Sequence, residues 1–127
     1  HSIEETHSHI IYSELEIEKE FILKRKKLWM ILSDMGFQMD LSFYLDTSYN
    51  VEFDEFLYQE VGYPTLTAHT INLFHSPYAA TSLREYFANG FEAFFMREEL
   101  ARLKRVSPNL YKKLIVLLNL ENNEQEY

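Results

Sequence analysis

The sequence predicts a single, mainly α-helical domain, on three observations. The chain has 127 residues, which suits one domain around one core. It holds 3 Gly and 3 Pro, too few for the many tight turns of an all-β fold. Apolar residues recur at helical spacing along most of its length, and 46% of all residues are hydrophobic, so there is material for a core.

Taken in order, His1 to Ile11 has three histidines and no clear period, and reads as an irregular or extended lead-in. A small β-sheet, if the fold carries one, would come from this N-terminal side. From Ser13 to about Met35 a helix is predicted. Leu15, Phe21, Ile22, Leu28, Trp29 and Leu32 supply its apolar face, and Glu18, Lys24 and Lys27 its polar one. The basic run Lys24-Arg25-Lys26-Lys27 falls in this helix beside Glu18 and Glu20. It reads as a solvated face, the competing reading being contact with an acidic partner. Gly36 is an interruption or a cap. A short helix covers Met39 to Leu45, and Asp46 to Asn50 reads as a turn.

Val51 to Val61 is helical again, with Phe53, Phe56, Leu57 and Val61 at suitable spacing. Gly62, Pro64 and Pro77 bracket a loop-like region that contains His69 and His75, with a short strand or helical turn around Leu66 to Phe74. Thr81-Ser82 opens a helix to about Met96, whose apolar residues are Leu83, Tyr86, Phe87, Phe91, Phe94 and Phe95. Arg97 to Val106 is helical. Ser107-Pro108 is a restart signal, serine as cap and proline at the first helical position, for a last helix from Asn109 to Leu118. Residues 1–119 are thus read as one domain, and 120–127 as a frayed acidic tail.

The net charge is -8, from 20 acidic and 12 basic residues, which disfavours nucleic acid as a partner. There is no cysteine, hence no disulfide framework and no thiolate chemistry. The longest apolar run, Leu114 to Leu118, is far too short to span a bilayer. The chain opens on His1 without a methionine or a signal-like segment, and is read as a trimmed piece of a longer polypeptide.

The most informative stretch runs from Tyr78 to Phe95, YAATSLREYFANGFEAFF. Ser82-Leu83-Arg84-Glu85 fits a capping box, in which the serine accepts from the backbone and the glutamate reaches back. Glu85 can be a cap, a charge partner or a metal ligand. Tyr78 taken alone reads as a packed tyrosine, and the aromatic stripe behind Glu85 as core.

This stretch, with the S-P-N-L-Y-K-K-L restart after it, resembles the end of the zinc metalloprotease domain of anthrax toxin lethal factor and its bacterial relatives. The resemblance covers roughly Leu32 to Leu118 and is most specific at Tyr78 to Phe95. It implies a helical zincin-like domain in which Glu85 stands at the third zinc ligand and Tyr78 at the tyrosine that assists the transition state. The family's other half is His-Glu-x-x-His on a helix, two histidines one turn apart binding zinc. The matching segment is Leu32-Ser33-Asp34-Met35-Gly36-Phe37-Gln38-Met39-Asp40. Ser33 and Phe37 stand where the histidines would be, and Asp34 where the catalytic glutamate would be. Phenylalanine cannot bind zinc and serine is a very poor ligand, so one carboxylate is left to hold the metal.

The resemblance therefore implies a degenerate metalloprotease-fold domain without a cofactor, acting by binding another protein. Lethal factor's own N-terminal domain lacks the zinc site and binds the toxin's carrier, and edema factor has a similar domain. A toxin-related, secreted or extracellular protein is implied, its partner a carrier or receptor. Phe43, Tyr44 and Tyr49 are the candidates for an exposed contact patch. The alternative is an active zinc endopeptidase acting on a peptide substrate, with Glu85 as ligand, Tyr78 as hydrogen-bond donor and the two histidines elsewhere. Ile3-Glu4-Glu5-Thr6-His7 is a second broken motif, His7 and His9 would point the same way in an extended segment, and His75 lies three residues before Tyr78. A third reading sets the family aside for a helical intracellular regulator or oligomerisation module, which would place the chain in the cytoplasm.

Overall fold

The longest element is the first, and the others assemble on it. In a computed structural model, residues 2–96 and 99–125 are described, with side chains for 15–96 and 99–117. Helix α1 spans Ser2–Asp34. The expected irregular lead-in is therefore helical, and no strand occurs among the described residues, so the N-terminal sheet is not formed. The reason is local: residues 2–12 lack an apolar period but contain no glycine or proline to stop a helix that continues on their C-terminal side.

Gly36 ends α1. Phe37 N donates to Leu32 O at 2.9 Å and Gly36 N to Ser33 O at 3.0 Å, with Gly36 at φ +94°. This is the Schellman arrangement, with glycine in the left-handed conformation that other residues adopt at a cost. Helix α2 follows at Leu41–Leu45. Helix α3, Val51–Glu55, starts where Asn50 accepts from Phe53 N, and it widens into a π-helical turn over Phe56–Val61. The region expected to be loop is a further helix, α4, at Tyr63–Thr70, with Pro64 tolerated in its first turn. A short 3₁₀ helix at Pro77–Ala80 leads to α5, Leu83–Phe94. Helices α6, Leu100–Val106, and α7, Pro108–Gln125, complete the chain. Helix α7 thus extends over residues 120–125, part of the stretch read as an acidic tail.

The core is built on Phe21, Leu28 and Leu32 of α1. They meet Tyr44, Phe53, Leu57, Leu66, Phe74, Tyr86, Leu103 and Leu110, all buried. Helix α5 turns Tyr86, Gly90 and Ala93 inward, at helical spacing. A Cβ on Gly90 would lie 2.2 Å from Leu110 Cδ2, so glycine sets how closely α5 and α7 approach. Because this narrow stripe fills the contact, the aromatic stripe expected to be core is divided. Phe87 and Phe94 flank the core, whereas Phe91 and Phe95 are exposed.

The basic run is not a solvated face. Lys26 and Lys27 are exposed, but Lys24 and Arg25 are buried, as is Glu20 one turn earlier. Each of the three serves the end of another helix. Glu20 Oε2 accepts from Asn109 N at 2.8 Å, at the start of α7, and Glu20 Oε1 accepts from the Tyr86 hydroxyl. The Tyr86 oxygen also lies 2.8 Å from Ser107 Oγ. Among the described residues the side-chain cap of the first α7 amides is thus a carboxylate from α1, while the Ser107 hydroxyl, the expected cap, is engaged by Tyr86. Lys24 Nζ donates to Val106 O, the last residue of α6, and to Leu73 O, just past α4. Arg25 donates to Phe43 O and Tyr44 O at the end of α2, and to Thr81 O after the 3₁₀ helix, at 3.0 to 3.1 Å. Its guanidinium also lies over Phe53 at 4.3 Å and Phe21 at 4.8 Å. Orphan amides at a helix start meet an acid, and orphan carbonyls at helix ends meet bases, the signs that the helix dipole favours.

Candidate functional site

Tyr78 and Glu85 occupy consecutive short elements. Tyr78 is in the 3₁₀ helix and half-exposed, while Glu85 lies in the first turn of α5 and is partly buried. The turn between them is fixed by Arg25 on Thr81 O and by Leu83 N, which donates to Thr47 O at 2.9 Å. Ser82 Oγ accepts from Glu85 N at 3.1 Å, so the serine half of the capping box is formed. The reciprocal half is not: among the described residues the Glu85 carboxylate has no hydrogen-bond or ion-pair partner. Glu85 is held as a helix-start residue through its backbone, with its carboxylate uncommitted.

The segment matched to His-Glu-x-x-His does not form one helical face. Ser33 and Asp34 are in the last turn of α1, and Phe37 follows the left-handed Gly36. A two-histidine site needs both positions on one continuous turn, and this chain reverses between them. Asp34 is exposed, Ser33 is partly buried, and Phe37 packs against the core. Among the described residues, no three His, Cys, Asp or Glu side chains gather in a set that could hold a metal ion.

His7 and His9 stand on helical backbone, not on the extended segment their pairing required. His75 turns to α6. Its Nε2 lies 3.4 Å from Glu99 Oε2, which Arg102 Nη1 approaches at 3.6 Å, and Arg102 also donates to His75 O. Burial, reinforced by the Arg102 charge, lowers the His75 pKa against the opposing pull of Glu99, which keeps the ring neutral at pH 7.

The expected contact patch is also redrawn. Tyr44 is fully buried beneath Arg25 and edge-on to Phe53, and Phe43 packs on the core, so only Tyr49 of the three is exposed. Two other groups of exposed rings were not read as such: Phe91 and Phe95 lay within a stripe assigned to the core, and the second group joins Tyr49 to rings from separate segments that only the fold brings together. The first is Phe91 in the last turn of α5 and Phe95 just past its end, with ring centroids 5.0 Å apart, followed by exposed Met96. The second surrounds Asp54 of α3. Tyr49 Oη donates to Asp54 Oδ2 at 2.6 Å, and Tyr63 Oη reaches Oδ1 at 3.5 Å. Tyr58 meets Tyr63 edge to face at 5.2 Å. The Tyr78 phenol is close enough to contribute to raising the pKa of both Tyr49 and Tyr63. Burial, then the charge of Asp54, pushes Tyr63 up to about 12. For Tyr49 the hydrogen bond to Asp54 is the main cause of a rise. Both phenols are neutral at physiological pH.

Among the described residues, no helix is long and apolar enough to cross a membrane. No protein-family model matches the chain, and no curated protein or solved structure matches it. The likeness to the lethal factor family rests on the residues quoted above alone.

Proposed function

We propose that this chain acts by binding another protein, as a metalloprotease-like helical domain whose zinc positions are no longer ligands. The observation that carries the reading is the Phe91, Phe95 and Met96 face. Three large apolar side chains, in the last turn of α5 and just past its end, are each 46 to 58% exposed, while the opposite face of the helix is core. Aromatic rings left in water at a helix end form the kind of exposed apolar patch that marks a protein interface. The partner is accordingly one with an apolar surface for these rings. Ser33 beside Asp34, and Phe37 in apolar packing beyond a chain reversal, support the non-catalytic half of the reading.

Two measurements test it together. Zinc titration by calorimetry should give no tight stoichiometric site, and a tight site lost in Glu85→Ala would overturn the reading in favour of a peptidase. Selection from a random peptide display library on the folded domain should enrich apolar sequences. Their binding should fall at least tenfold on a Phe91→Ser/Phe95→Ser variant, since burying such rings is worth well over 1.4 kcal/mol. Binding indifferent to both substitutions would count against it.

A further inference from the structure

We infer that the ring cluster around Asp54 is a binding site for a cationic side chain, an arginine or lysine of a basic peptide segment. This rests on the protein-binding reading for the source of the cation, but it concerns different residues from the Phe91 face.

The cluster has the parts such a site needs. Asp54 is a partly buried carboxylate whose partners among the described residues are two tyrosine hydroxyls, with no lysine or arginine in ion-pair range. A carboxylate held only by neutral donors keeps its full negative charge available. Tyr49, 56% exposed, is bonded to it, Tyr58 at 62% is braced edge-on against Tyr63, and Tyr78, 47% exposed, is near enough to Tyr49 and Tyr63 to act on both phenols. Neutral phenols offer negative ring faces, which attract a cation within about 6 Å of the ring centre. Glu52 and Glu55, both exposed, flank Asp54 on α3 and extend the negative field.

The backbone is specialised at this place. The π-helical turn at Phe56–Val61 lies between Asp54 and Tyr63 and buries Phe56, Leu57 and Val61. Such turns are rare and recur at functional sites. Here the turn lets three residues reach the core while Tyr58 stays outside, one wide turn before Tyr63. An overall charge of -8 favours a basic partner over an acidic one in the approach.

The test is a titration of the intact domain, followed by NMR at the amides of residues 49–63 and 78. The probes are a short blocked peptide with one central arginine and its citrulline twin, which has the same shape without the charge. Saturable shifts with the arginine peptide are expected, weakened about tenfold or more by citrulline and by Asp54→Asn, and a few-fold by Tyr78→Ala. Tyr78 makes no side-chain hydrogen bond among the described residues, so that variant probes the ring with little demand on the fold. Equal binding of the two peptides, or no saturable shift with either, would overturn the inference. If it fails while peptides selected on the Phe91 face still bind, the protein-binding reading stands without it. If those also fail, both are lost.

Discussion

At the scale of single residues, the informative side chains are the charges inside α1. Arg25 is fully buried and serves three carbonyls and two ring faces. Burial lowers its guanidinium to about 10, which leaves it charged at pH 7. Arg25→Ala should cost on the order of 3–5 kcal/mol in urea unfolding, because it leaves both a cavity and three unpaired acceptors. Arg25→Lys should recover only part, since an ammonium cannot span the fork. Lys24 gives a pH signature. Burial pulls it from 10.5 down to about 8, although Glu20 opposes the shift. Between those values the unfolded chain holds a proton that the folded chain has shed, so stability rises with pH across that window. Above about pH 10 the trend reverses, because burial raises Tyr44 to about 12 and Tyr86 still further, so the folded chain keeps protons that the unfolded chain loses. The urea midpoint should climb from pH 7.5 to about 9.5 and then fall, and Lys24→Met should flatten the climb. None of this was legible in the sequence. A run of four bases reads as surface, and the carbonyls that take Lys24 and Arg25 inside lie 18 to 82 residues away.

Single elements were the most legible level, and two glycines show why boundaries and faces differ in that respect. Gly36 was readable as a cap because only its own backbone matters. A Cβ there meets nothing within 4 Å, yet φ is +94°. Gly36→Ala should therefore cost roughly 1 kcal/mol through the backbone alone. Gly90 sits inside a helix, where alanine would ordinarily gain about 1 kcal/mol. Its Cβ would meet Leu110 at 2.2 Å and 2.9 Å, so Gly90→Ala should instead lose about 1–3 kcal/mol. Leu110→Ala in the same chain should give a double mutant clearly less damaged than the sum of the two changes. Ser82 as cap of α5 and Pro108 at the start of α7 were likewise legible, being local chemistry. Which aromatics of α5 face inward was not, because the stripe is wider than one face and the choice depends on α7. Tyr78 and Glu85 could be picked out as a pair, but whether Phe37 shares a face with Ser33 turns on one left-handed residue between them.

At the scale of the whole molecule, α1 packs against α2, α5 and α7, and its interior charges reach α4 and α6 as well. Helices as short as the five residues of α2 or the seven of α6 do not persist alone in water. Residues 41–125 expressed without α1 should therefore show little helical circular dichroism, and a synthetic peptide of residues 13–40 added in trans should restore it. A Glu20→Gln, Lys24→Met, Arg25→Met peptide should fail to do so at the same concentration. The mainly helical class was open to sequence reading because it follows from period and composition. The assembly was not, because it depends on side chains whose partners are backbone atoms far along the chain. That wiring also has a direction. Turned end for end, α7 would offer Glu20 a carbonyl end instead of amides, and a reversed α2 would set amides against Arg25, bringing like sign to like at each place. Helix α1 thus works as a keyed template, against which the helices packed on it seat in one orientation and the end-for-end arrangements of the same apolar surfaces are refused.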